Sequence, residues 1–243
     1  MMKKVLATML MLCSTQYTWA VEDTKASDKD IEQVVAQYLK KNPQAVFDAL
    51  MAYRNQEVQK MEDQSKQIAA DNYDLLFKSN SPVLGSADSK VAVVEFMDYQ
   101  CGHCRVMGPR LESLANTGQA KVIIKLLPIR GATSLYASKM ALASQGQGKF
   151  VAAHNALMKA NDLTSEDKVD AVLAAAGIDV KKAKEGLNAA QAEINKNFSL
   201  AGKLKLQGTP AMVFSNGTPS DIVFIPGAVD APQLQKIVKN LNA

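Results

Sequence analysis

The spacing of apolar positions changes along the chain, and each change marks a different kind of element. From Asp28 the apolar residues Ile31, Val34, Val35, Tyr38 and Leu39 recur at helical intervals and predict a helix to Lys41. A second helix is predicted from Asn42-Pro43, where Asn42 can cap free N–H groups and Pro43 suits the first helical position, and it extends past Met61. Alternating steps of four and three residues from Phe47 reach Met51, Arg54, Val58, Met61, Ser65 and Ile68, a heptad seam that Arg54 and Ser65 interrupt. A seam of this kind must be covered, either by folding back on its own chain or by self-association, and self-association is the expectation. The polar, glycine-free stretch therefore delimits an N-terminal helical oligomerisation segment over residues 21–73.

Beyond it the period shortens. A loop rich in Ser, Pro, Gly and Asp between Ser79 and Ser89 leads to Val91-Ala92-Val93-Val94-Glu95-Phe96, which reads as a buried strand. A helix should start at Cys101 and run to about Ala115, and Lys121 to Leu127 forms a second strand. Strand, helix and strand at this spacing make a βαβ unit with parallel strands. From about 134 to 204 the pattern is alanine-rich and helical, broken at Gln145-Gly146, Asn161-Asp162 and Gly177-Ile178, which predicts an insertion of about four helices. Thr164 and Asp179 are its candidate N-caps. The chain then returns to strands at Ala211–Phe214 and Ile222–Ile225, joined through Asn216-Gly217 as a hairpin, and ends in a helix from about Ala231 to Leu241. The fold class is α/β with an all-helical insertion.

The ends refine this picture. Lys3 and Lys4 precede an apolar run from Val5 to Cys13, and small Ala20 closes the segment, so residues 1–20 read as a removable export signal. Cys13 leaves with it; a lipid-attachment reading of Cys13 lacks the small residues that Met11 and Leu12 replace. No later stretch is long and apolar enough for a membrane span, and the mature chain is expected to be soluble. The formal charge of +4 is scattered, with no basic stripe interleaved with aromatics, so no nucleic-acid partner is expected.

Two cysteines then remain, in the run Cys101-Gly102-His103-Cys104, in a chain sent to an oxidising compartment. A chain this long builds its own core, so so close a pair reads as reactive. Disulfide exchange needs a thiolate, a resolving thiol within bonding reach and an environment that sets their balance. Cysteines at i and i+3 on a helix start supply the pair, and unpaired N–H groups with the helix dipole favour the charged form of Cys101. Cys104, one turn in, should be the more buried. His103 tunes the pair, because an imidazole beside Cys101 stabilises the thiolate and hence the reduced form.

Glu95, the lone charge in its strand, either faces the interior beneath Cys104 and relays its proton, or points to water. Gly208-Thr209-Pro210 precedes a strand and marks a candidate cis bond. A structural disulfide closing so small a loop would constrain little, and a zinc site lacks a second Cys pair. The other histidine, His154, reads as a helix-face residue. No cofactor is implied.

These residues resemble the thioredoxin superfamily and, within it, DsbA-like periplasmic proteins. The resemblance rests on Phe96-Met97-Asp98-Tyr99-Gln100-Cys101-Gly102-His103-Cys104, on Leu127-Pro128, on the helical insertion and on Gly208-Thr209-Pro210, and covers about Leu75 to the C-terminus. It implies a thioredoxin fold over 74–243, with Cys101 as exposed nucleophile, Cys104 as resolving cysteine, Glu95 as buried acid and Thr209 before a cis Pro210. DsbA-type oxidases carry Pro-His between the cysteines and Val before the cis-proline. Gly102-His103 instead resembles eukaryotic protein disulfide isomerase, and Thr209 resembles DsbC-type isomerases.

Together with the N-terminal segment, this implies an oligomeric, homodimeric enzyme with oxidase and isomerase capacity. Its expected partners are unfolded or misfolded exported proteins and a membrane oxidase or reductase, in the periplasm. The competing expectations are an oligomeric chaperone whose thiols are secondary and a surface-associated structural protein.

Overall fold

The computed structural model describes residues 27–242; the expected export signal and Cys13 lie outside the described residues. The chain divides into two compact units, one ending at Arg54 and one beginning at Asn55. In the first, helix α1 (Asp28–Lys41) starts at a capping box in which Ser27 and Asp30 bond each other's backbone N–H groups. None of its residues is buried, and Ile31, Val34, Val35, Tyr38 and Leu39 are all exposed, as are Val46, Phe47, Leu50 and Tyr53 of α2 (Pro43–Asp71). Asn42 does not act as the N-cap proposed from sequence: its side-chain amide donates back to the Tyr38 carbonyl at 2.9 Å and closes α1.

The second unit is built on a five-stranded sheet in the order β1 (Val83–Leu84), β3 (Lys121–Leu126), β2 (Ala92–Met97), β4 (Ala211–Ser215), β5 (Val223–Ile225). Strands β2 (Ala92–Met97) and β3 (Lys121–Leu126) pair in parallel through helix α4 (Gly102–Asn116), as the βαβ reading required. β4 (Ala211–Ser215) lies antiparallel to β2, and β5 (Val223–Ile225) antiparallel to β4. All six residues of β2 are buried, because helices cover both faces of the sheet. Val93, Met97, Val122, Ile124, Leu126, Met212 and Phe214 pack with α4, the insertion and the C-terminal helix α10 (Ala231–Asn242). The alternate residues Ala92, Val94, Phe96, Ile123 and Val213 pack with Ala69, Tyr73, Leu76, Leu200 and Leu204.

That second core changes the expected division of the chain. Ser65 looked like an interruption of the seam, yet it is buried and its hydroxyl donates to the Leu204 carbonyl at 3.2 Å. Ser65 and Ala69 of α2, with Tyr73 and Leu76 of α3 (Tyr73–Phe77), thus belong to the second unit, and the boundary falls at Arg54 instead of residue 73. The small residues on α2 mark where it approaches the core closely.

Two further readings are corrected. The Ser79–Ser89 loop contains a short strand β1 (Val83–Leu84), antiparallel to β3, which two apolar residues among turn formers could not announce. The insertion holds five α-helices where about four were expected: α5 (Ala132–Ala143), α6 (Phe150–Lys159), α7 (Glu166–Ala175), α8 (Val180–Glu185) and α9 (Leu187–Lys203), the extra break falling at Gly186. Asp179 caps α8 by accepting from the Lys182 N–H, but α7 is capped by Ser165 while the Thr164 hydroxyl donates to Asp162.

Gly85, directly after β1, has φ +84°, and a Cβ there would lie 2.9 Å from the Ala115 carbonyl oxygen at the end of α4. Both the left-handed backbone and the backbone contact penalise a side chain. Gly85→Ala is expected to lower stability by about 2 kcal/mol in urea unfolding. An unchanged midpoint would show that β1 does not pin the end of α4.

Candidate active site

The site forms where β2 gives way to α4. Asp98, the first residue after β2, is fully buried, and its carboxylate accepts from the N–H groups of Gln100 (2.7 Å), Ile129 (2.8 Å) and Arg130 (3.0 Å) and from the Ser134 hydroxyl (2.6 Å). It ties the exits of β2 and β3 to the first turn of α5. Sequence reasoning gave it no role; a lone acid between a strand and the cysteine run was the available signal.

The Cys101 N–H donates to the Asp98 carbonyl at 3.1 Å, and Cys101 occupies the N-cap position of α4 with extended backbone (φ −83°, ψ 117°). Its sulfur therefore sits where the first N–H groups of α4 lack helical acceptors. Opposite lies the Thr209–Pro210 peptide, which is cis, and the Cys101 thiol donates to the Thr209 carbonyl at 3.2 Å. The Thr209 hydroxyl, also buried, has no partner in this dithiol form, and a Cys101 thiolate would give it an acceptor. Burial pushes the Cys101 thiol up, but the Thr209 hydroxyl, the Cys104 amide and thiol and the His103 amide outweigh it and leave the thiol below its ordinary value.

The expected exposure of Cys101 is not met. Its residue has no solvent-accessible surface, because the cis-proline loop and Cys104 close over the sulfur. Exposure falls instead on Gly102 and His103. His103 joins Gln207, Gly208, Thr209, Pro210 and Pro226 in lining an open depression of about 370 Å³ beside the pair. The imidazole is thus at the rim, and it is the His103 backbone N–H that meets the sulfur.

Cys104 is buried one turn into α4. Burial and the charge of Glu95 both push its thiol well up, so the two sulfurs are displaced in opposite directions. Glu95 faces the interior: it is 1% exposed, its Oε1 has no hydrogen-bond partner, and burial, with the charge of Cys101, raises it to about 8. At neutral pH it carries a proton. Sequence reasoning had left its orientation open, and the pleat of β2 decides it, since Glu95 shares the face of Val93 and Met97 that α4 covers.

His154 is not on an open helix face. It is buried, stacks on Phe150, and its Nδ1 lies 3.1 Å from the hydroxyl of Tyr99, two residues before Cys101. Burial lowers His154 to about 4 and raises Tyr99 well above the ordinary phenol, so we assign the shared proton to Tyr99. Gln100 and Arg105 reinforce this seam by donating to the Leu163 and Tyr99 carbonyls. The Phe150/His154 spacing of four residues was the one sequence signal for it.

A family profile described as a DSBA-like thioredoxin domain matches residues 92–239. The chain belongs to the DsbA-like thioredoxin domain family. The thiol:disulfide interchange protein DsbA of Burkholderia cepacia is 31% identical over 147 residues, which are 57% of this chain and 68% of that protein. The catalytic domain of Proteus mirabilis ScsC is similar in structure, with 31% identity and a TM-score of 0.64 over 72% of this chain and 97% of that one. Proteus mirabilis ScsC in a transitional conformation gives 30% identity and a TM-score of 0.64 over 88% of this chain and 95% of that one. The protein is a disulfide oxidoreductase of DsbA-like type.

Glu95 makes folding pH-dependent. The folded protein keeps its proton up to about pH 8, whereas an unfolded chain releases it near 4.5, so unfolding releases a proton between these values and stability falls as pH rises. Relative to Glu95→Gln, the wild-type dithiol protein should lose about 3 kcal/mol between pH 4 and pH 7 in urea unfolding. Parallel pH profiles for the two proteins would contradict the burial of a protonated carboxyl.

Proposed function

We propose that this chain forms and rearranges disulfides in exported proteins, with Cys101 as the sulfur that meets the substrate and Cys104 as the sulfur that resolves the intermediate. The observation that carries this reading is the opposite displacement of two thiols one helical turn apart, the lowered one beside the cis-proline loop. In oxidation, a substrate thiolate attacks Sγ of Cys101 in the Cys101–Cys104 disulfide. The bond between the two enzyme sulfurs breaks and Cys104 leaves as a thiolate, which takes the proton of Glu95.

A second substrate thiolate then attacks the substrate sulfur of the mixed disulfide and expels Cys101 as the thiolate. The substrate leaves with one new disulfide, and the enzyme is left with Cys104 as a thiol and Cys101 as a thiolate. In the reverse direction Glu95, as carboxylate, takes the Cys104 proton so that Cys104 can release the substrate.

Gly102 and His103 form the exposed lip over which substrate arrives, with the His103 backbone N–H stabilising the thiolate. Thr209 and Pro210 offer the opposing surface, and the unpartnered Thr209 hydroxyl favours the reduced form by waiting for the thiolate. Gly102-His103 and Thr209 together support isomerase as well as oxidase capacity, by their resemblance to isomerase patterns. Residues 1–20 support export to the periplasm, where a membrane oxidase or reductase would reset the pair.

Self-association as a homodimer is supported by the exposed apolar faces of α1 and the start of α2, which leave nine large apolar side chains uncovered in a short unit. Proteus mirabilis ScsC in a transitional conformation matches 88% of this chain where its catalytic domain matches 72%, consistent with a separable N-terminal segment. Two facing sites could then hold one misfolded substrate while its disulfides are exchanged.

Cys101→Ser is expected to abolish insulin reduction, a loss of at least about 100-fold, while Cys104→Ser should trap substrates as mixed disulfides on non-reducing gels. Full turnover in both variants would overturn the assignment. A chain starting at Asn55 should sediment as a monomer and still reduce insulin; a dimer would move the interface into the second unit.

A further inference from the structure

On the sheet face opposite the cysteines lies a cavity of about 470 Å³ between α3, β3 and α9 that the redox chemistry does not use. At its wall is Lys125, the penultimate residue of the apolar strand β3 and only 2% exposed. An aliphatic residue would satisfy the strand pattern there, and a buried ammonium normally meets a carboxylate. Lys125 does not. Its Nζ donates to the Ser79 and Ser81 hydroxyls, at 3.0 Å each, and its third N–H has no acceptor among the described residues.

Of the other charges around the cavity, Glu193 reaches Lys125 only through the Ser81 hydroxyl and supports its ammonium from a distance without pairing with it. Lys78, Lys196 and Lys203 line the cavity with Glu193, which accepts from Ser81 at 3.3 Å and pairs with Lys196 at 3.3 Å. Lys78 is held by Asp74 at 2.8 Å. Lys203 meets only the Asn72 side-chain oxygen, at 3.4 Å. Two ammonium groups, one buried and one at the rim, are thus left without a carboxylate, next to the polar side chains of Asn80 and Ser199.

We propose that this cavity binds a compact, doubly charged oxyanion of phosphate-monoester type, held by Lys125 from inside and Lys203 from the rim. A dianion matches the two ammonium groups that have no paired carboxylate, and its oxygens can accept from Lys125 on the strand and Lys203 on the helix, which line the same cavity. Leu75 and Leu200 on the same wall suit a small organic substituent on the phosphate. Burial lowers Lys125 to about 8, with Glu193 opposing and Lys196 adding to the shift, and an anion in the cavity would favour its charged form.

The test titrates inorganic phosphate into the full-length dithiol protein by calorimetry in chloride buffer, with phosphatidic acid vesicles, whose headgroup is a phosphate monoester, as a second arm. The expected result is saturable binding of one phosphate per chain, weakened at least roughly tenfold by Lys203→Ala, a surface change, and lost in Lys125→Met, with insulin reduction unaltered in both. Vesicle binding sensitive to the same substitutions would assign the phosphate to a lipid headgroup, and inert vesicles would assign it to a soluble ligand. Absence of saturable binding in both arms, or affinity unchanged in both variants, overturns the proposal.

Discussion

A sulfur at the N-cap of α4, faced by helix N–H groups on one side and by the Thr209–Pro210 loop on the other, is the constraint on which the rest of the structure depends. To hold it there, β2 must stop at Met97, the chain must turn over a buried Asp98, and α4 must begin at once. Asp98 accepts four hydrogen bonds from three separate segments, so the same carboxylate that ends β2 also fixes the start of the helical insertion. The sheet in turn brings β4, and the cis peptide that precedes it, alongside β2 in antiparallel register.

Burial then divides two chemically identical thiols. Cys104 is enclosed near Glu95, so burial and a charge on Glu95 raise its thiol, while Glu95 is itself raised by burial and by the charge of Cys101. Cys101 is also covered, yet donors surround it, and these outweigh its desolvation. One carboxyl kept protonated in the interior thus links the ease of ionising Cys104 to the stability of the fold: it weakens the folded state at neutral pH and supplies a proton where an exchange step needs one.

Much of this was legible in the sequence because the relevant signals are local. The βαβ unit, the strand hairpin and the bounds of α1 follow from periodicity, and the cysteine spacing on a helix start identifies the chemistry. What was not legible depends on contacts distant in sequence. The burial of His154 follows from Tyr99, far earlier in the chain, and the covering of Cys101 from a loop 108 residues later. Ser65 read as a fault in a seam because its acceptor, Leu204, lies at the far end of the insertion. β1 is too short for periodicity to register, and it exists only because β3 offers it an edge.

The central claim is that the environment at the start of α4 holds Cys101 as the readily ionised sulfur while Cys104 stays a thiol. Following thiolate absorbance in the ultraviolet against pH, with Cys104→Ala isolating the first sulfur and Cys101→Ala the second, measures this directly. The account predicts that Cys101 ionises below the value of about 8.5 of a free thiol and that Cys104 remains protonated well above it. Ionisation of Cys101 at the free-thiol value, or of Cys104 before Cys101, would contradict it.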